Sequence, residues 1–101
     1  MIANEEKVIN RLHEECRKAN YPKVAIRFRG EGNINKLFIY DTEMDNRRSF
    51  TVSFMQWDRS MWCDFVARAK QYCEEKTKFS IDRIDAIILT PAKGSEITII
   101  V

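Results

Sequence analysis

Residues 23–57 read KVAIRFRGEGNINKLFIYDTEMDNRRSFTVSFMQW, and their alternation decides the fold. Apolar and polar side chains exchange places every second residue, the period of an antiparallel sheet with one face buried. Val24, Ile26, Phe28, Leu37, Ile39, Phe50, Val52 and Phe54 share one predicted face. The other holds Lys23, Arg27, Arg29, Phe38, Tyr40, Ser49, Thr51, Ser53, Met55 and Trp57. Turns fall at Gly30 to Asn33 and Thr42 to Asn46, where glycine, Asp45 and Asn46 tolerate left-handed backbone. The stretch therefore reads as a three-strand meander with cations, hydroxyls and aromatics on its outer face.

Upstream of it the period changes to that of a helix. Val8, Ile9, Leu12, Cys16 and Ala19 fall within about 100° of arc, an amphipathic helix between Asn4 and Asn20. Asn4 is its expected N-cap, Glu5 and Glu6 suit the positive end of the dipole, and Tyr21-Pro22 stops it. Downstream, Met61, Trp62, Phe65, Val66, Ala69, Tyr72 and Cys73 sweep roughly 140°, a broad stripe for a second helix capped by Asp58 or Ser60. Two strands follow, Asp85 to Thr90 and Glu96 to Val101, joined through Pro91, Lys93 and Gly94. The unbroken run Ala86-Ile87-Ile88-Leu89 predicts a strand covered on both faces. In the last strand Ile97, Ile99 and Val101 share one side and Ile100 takes the other.

The expected structure is a single α+β domain over residues 1–101, element order α-β-β-β-α-β-β, an antiparallel sheet with two amphipathic helices packed on one face. A chain of 101 residues, 45% hydrophobic and 32% charged, has the composition of one globular core. Its net charge of +2 supplies no strong field for nucleic acid or anionic lipid. The apolar runs are too short to span a membrane, and Met1 to Glu6 carry neither a basic nor an apolar leader segment, so a cytoplasmic protein with no membrane partner is expected. Cys16, Cys63 and Cys73 are odd in number and fit no metal-binding spacing, which points to reduced thiols. On the helical wheel Cys63 lies outside the apolar stripe and is the more exposed.

Few motifs carry chemistry. One histidine and three scattered cysteines make no metal site, and no cofactor is expected. Glu5-Glu6, Glu14-Glu15 and Glu74-Glu75 are neighbours about 100° apart on a helix, which makes solvated faces of them. Gly30-x-Gly32 follows a strand without opening a helix and is a hairpin turn. Cys63 falls near the start of the second helix, where a lowered thiol pKa would make a nucleophile.

The order α-β-β-β-α is similar to that of a double-stranded RNA-binding domain, whose second helix opens on a lysine-rich segment. Here Asp58-Arg59-Ser60-Met61-Trp62-Cys63-Asp64 stands in that place. The full order also resembles small chaperones of secreted effectors, which are acidic and end in a third helix. Element order alone assigns no family.

The outer face of the meander is the candidate binding site, through Arg27, Arg29, Phe38, Tyr40, Met55 and Trp57. Arginine, tyrosine and tryptophan are the types enriched in interface hot spots. With no catalytic constellation, the expected function is a non-catalytic docking module, an adaptor or inhibitor of a larger assembly that self-associates as a homodimer. Single-stranded nucleic-acid binding through the same face is the alternative, since guanidinium groups and aromatic platforms suit it. Against it, residues 21–59 hold seven cations and five acids, a thin excess for a polyanion. A Cys63-dependent enzyme is the second alternative.

Overall fold

The computed structural model describes residues 2–18, 24–30, 36–38, 57–77, 82–91 and 94–101. Its elements are α1 (Glu5–Lys18), β1 (Val24–Gly30), β2 (Lys36–Phe38), α2 (Arg59–Tyr72) running into a π-helical turn (Cys73–Thr77), β3 (Ile84–Pro91) and β4 (Ile97–Ile100). This is a small α+β arrangement of helices and an antiparallel sheet. The third strand of the meander, placed at residues 49–57, falls outside the described residues except at its end.

All strands pair antiparallel in the order β2-β1-β3-β4. The sequence left open whether the C-terminal hairpin would cover the meander. Instead it joins the free edge of β1 and extends the sheet in its own plane. Ile26 stands opposite Leu89, Phe28 opposite Ile87, and Ile87 in turn opposite Ile99. These side chains line one face, where they meet Val8, Ile9, Leu12 and Cys16 of α1 and Trp62, Phe65, Val66 and Ala69 of α2 in one core cluster. These residues belong to the helical stripes read from the sequence, whereas Tyr72 of the second stripe is only half-buried and Ala19 of the first lies outside the described residues.

Alternation along β3 would turn Ile84 to the outer face together with Ala86 and Ile88. The pairing avoids this by a register shift, with Arg29 opposite Ala86 but Gly30 opposite Ile84. Asp85 is the extra residue, and the bulge reverses the phase at that point. Ile84 therefore enters the core at 0% exposure, while Asp85 reaches Arg29 on the outer side.

An aromatic group ties β1 to α2. Phe28 meets Phe65 edge-on at 6.4 Å, and Trp62 meets Phe65 at 5.8 Å in the same T-shaped manner. Trp57 completes the group, 4.6 Å from Trp62 and 6.1 Å from Phe65. This corrects the sequence reading: Trp57 is buried in the helix-side core, and strand alternation does not carry it to the outer face. Asp58 starts α2, its carboxylate accepting from the Met61 N–H at 2.9 Å, so the chain turns into the helix immediately after Trp57. Met61, expected in the buried stripe, is 37% exposed, whereas Trp62 beside it is fully buried.

Asn4 also departs from expectation. Its carbonyl accepts the Val8 N–H at 3.0 Å, which begins α1, but its side chain does not cap the helix. The amide donates to the Ile84 carbonyl at 2.6 Å and accepts from the Ile84 N–H at 3.1 Å. One side chain thus supplies both partners that the buried end of β3 needs, and fixes the start of α1 to the sheet. Replacing Asn4 by alanine strands two buried backbone groups, at a cost of roughly 1–3 kcal/mol. The urea unfolding midpoint of Asn4→Ala should drop accordingly, while Lys7→Ala, at an exposed position, should move stability by no more than about 0.5 kcal/mol. Equal midpoints for the two variants would contradict this role.

Candidate functional site

The outer face of the sheet is built by register. Reading across it, Arg27, Ile88 and Thr98 form one row and Arg29, Ala86 and Ile100 form the next, with Phe38 and Lys36 at the paired register positions of β2. Arg27 and Arg29 are two residues apart on the central strand β1 and so project from the same side. The C-terminal hairpin supplies what each guanidinium needs. Arg29 Nε donates to Asp85 Oδ1 at 2.7 Å. Arg27 forms an ion pair with Glu96 through Nη2, which also donates to Thr90 Oγ1 at 3.3 Å.

These pairs change the character of the face. The sequence presents the two arginines as free cations, but each is neutralised by a carboxylate more than fifty positions away, a partnership that only the strand order creates. Their side chains are 24% and 36% exposed, so the stems lie along the sheet and the heads stay reachable. Ala86 and Ile88 beside them are 0% and 1% exposed although neither belongs to the helix-side core cluster. The apolar run of β3 is thus covered on both faces, as its lack of alternation implied. At the margin Ile100 stands 61% exposed.

The remaining site residues divide plainly. Phe38 holds the register position opposite Arg27. Tyr40 and Met55 lie outside the described residues. Trp57 is in the core, so of the six only Arg27 and Arg29 have described side chains on this face.

A second polar cluster lies where α2 starts beside α1. Arg59 forms an ion pair with Glu6, donates from Nε to Asn10 Oδ1 at 3.0 Å, and places Nη1 3.7 Å from Cys63 Sγ. A guanidinium favours a thiolate electrostatically but cannot accept its proton. The Asp58 carboxyl is held below its ordinary value, chiefly by the Met61 N–H, then by the Ser60 hydroxyl, with His13 a minor contributor. His13 also lines, with Asn10, Glu14, Arg17 and Lys18, a cavity of about 550 Å³ along α1. Its walls carry both signs of charge, and Lys18 is spent on Glu14 at 3.8 Å. Among the described residues no three histidine, cysteine or acidic side chains converge as metal ligands, and no helix is long and apolar enough to cross a membrane.

The three thiols differ in the way the helical wheel predicts. Cys63 is partly exposed, whereas Cys16 and Cys73 are buried and all three are free. Burial, helped by the Glu15 charge, pushes the Cys16 thiol up to about 12. Burial and then the Glu74 charge push Cys73 up to about 11.

Compared with known proteins, the chain matches no family model, no curated protein and no solved structure.

Native alkylation at pH 8 should therefore modify Cys63 alone, with Cys16 and Cys73 reacting only after unfolding. The buried thiols bind their protons more tightly folded than unfolded. Their contribution to stability is complete below an ordinary thiol value of 9.0 and is lost as pH rises toward 11 and 12. Unfolding followed at increasing pH should show this decline beginning near 9. Prompt modification of all three thiols in the folded protein would contradict the assignment.

Proposed function

We propose that this protein is a non-catalytic docking module that engages a larger protein assembly through the outer face of its sheet, and that it self-associates. The observation that carries the reading is the pairing of Arg27 with Glu96 and of Arg29 with Asp85. A guanidinium fixed by a carboxylate keeps free donors in a defined orientation and loses little side-chain entropy on binding. Such a group suits a protein surface that offers matched carbonyls, carboxylates or aromatic rings. Ala86 and Ile88 beside the two arginines are already covered, so the apolar contribution to a partner comes from the exposed Ile100 at the margin.

The same pairing weakens the nucleic-acid alternative. Phosphate binding gains from counterion release when free cations are neutralised. Here Asp85 and Glu96 already neutralise both arginines, so a phosphate gains little from them by counterion release. The Cys63 alternative has a cation beside the sulfur, but Arg59 cannot act as the base that nucleophilic catalysis asks for.

The ion pairs are partly exposed and contribute about 0–1 kcal/mol each, so truncating the arginines tests binding without unfolding the protein. Affinity capture from lysate, read by mass spectrometry, should lose the same specific proteins with Arg27→Ala and with Arg29→Ala, and keep them with Lys7→Ala on the exposed side of α1. An unchanged set of captured proteins in both arginine variants would refute this placement. Filter binding of a single-stranded oligonucleotide should show no retention at physiological salt. Retention that falls steeply with salt and vanishes with Arg27→Ala would establish the nucleic-acid reading in its place.

A further inference from the structure

We infer that β4 is the edge at which two copies of this chain join their sheets, pairing antiparallel about Ile99. This rests on the self-association in the proposed function and gives it a location. Docking of another protein on the outer face stands independently of it.

Among the described residues β4 has a neighbour, β3, on one side alone. The Val101 N–H donates to the Asp85 carbonyl at 3.1 Å, which fixes the direction of the backbone groups along the strand. Residues 97, 99 and 101 turn theirs toward β3, and residues 98 and 100 therefore turn theirs away. Among the described residues that outward row has no strand partner, and its surroundings are exposed: Thr98 is exposed, Ile97 is 37% exposed and Ile100 is 61% exposed. Proteins that remain monomeric guard such edges with lysine, proline, inward charge or a bulge. Ile97 to Val101 contains no charge, proline or glycine, and its register with β3 is unbroken.

The sequence of the edge selects the occupant. A twofold axis at Ile99 sets Ile99 against the second copy's Ile99, Thr98 against its Ile100, and Ile97 against its Val101. Every cross-strand pair is then β-branched against β-branched, the type that packs best on a pleated surface. The outward backbone groups of residues 98 and 100 meet in the hydrogen-bonded positions, and the helix-bearing faces of both copies stay on one side. A shift of one residue in the pairing would turn one copy's core face outward. An axis at Thr98 keeps the faces but sets Glu96, already engaged by Arg27, against an isoleucine. Side-chain charge favours the Ile99 axis as well, since no charged side chain meets another across it and the nearby Arg27–Glu96 pair is internally neutral. The result is an isologous interface, each copy giving the surface that it receives.

Sedimentation of the intact chain over a concentration series should show a monomer–dimer equilibrium reaching dimer at high micromolar concentration. Thr98→Pro, which removes an outward N–H and leaves the bonds to β3 in place, should be monomeric with an unchanged helical circular dichroism spectrum, and Ile100→Lys should behave alike. Amide hydrogen exchange on the unmodified protein gives a second reading if the proline variant does not fold. Thr98 and Ile100 should gain protection with concentration, while Ile97 and Ile99 are protected throughout. A protein that is monomeric at all concentrations, with fast exchange at Thr98 and Ile100, would overturn the inference and leave outer-face docking untouched. A dimer that survives in both folded variants would overturn it also, by assigning self-association to another surface.

Discussion

The antiparallel pairing of β1 with β3 is the constraint on which the rest of this structure depends. It joins residues 24–30 to residues 84–91 over seven registered positions, and so brings strands far apart in sequence into one sheet. Both faces follow from it. One side of the pairing gathers Ile26, Phe28, Ile87 and Leu89 beneath the helices, and the other lays Arg27 and Arg29 beside Ile88 and Ala86. Because side chains alternate, a slip of one residue would exchange the two sets and bury the guanidinium groups. The bulge at Asp85 shows how tightly this is specified, since it returns Ile84 to the core at the one point where simple alternation fails.

Energetically the two faces are unequal. Each large side chain of the core, such as Trp62, Phe65 or Ile87, contributes about 1.5–3 kcal/mol by leaving water, and the aromatic contacts among Phe28, Trp57, Trp62 and Phe65 add to that. The arginine pairs on the outer face are partly exposed and contribute little by comparison. Their effect is on orientation. Stability therefore resides chiefly in the helix side, with the buried Ile88 and Ala86 adding to it from the other face. The Asn4 side chain serves the stable side, since it links the first turn of α1 to the first residue of β3 across the whole length of the chain.

Local periodicity made most of this legible. Most of the α1 and α2 stripes, the alternation in β1, the doubly covered run of β3 and the split of Ile99 from Ile100 in β4 each depend on spacing within one element, and each appears in the structure, with Met61 and Tyr72 the members of the α2 stripe that are not buried. What could not be read were relations between elements. Nothing in the sequence says that the C-terminal hairpin pairs with β1, and so nothing says that Asp85 and Glu96 reach Arg29 and Arg27. Trp57 was misplaced for a related reason: alternation was carried to the end of an apolar-polar run, while the Asp58 cap turns the chain toward α2 and takes the indole with it. Asn4 matched the helix-cap pattern, yet a bidentate bond to a distant strand end satisfied more backbone than a local cap would.

Nuclear Overhauser contacts between the backbones of β1 and β3 test the central claim most directly. The account predicts cross-strand contacts of Phe28 with Ile87, of Ile26 with Leu89 and of Arg27 with Ile88, together with slow exchange of the Arg29 Nε–H beside Asp85. A register displaced by one residue, or β1 found without β3 as its neighbour, would contradict it, because the arginines would then lose both their partners and the face on which recognition is proposed to occur.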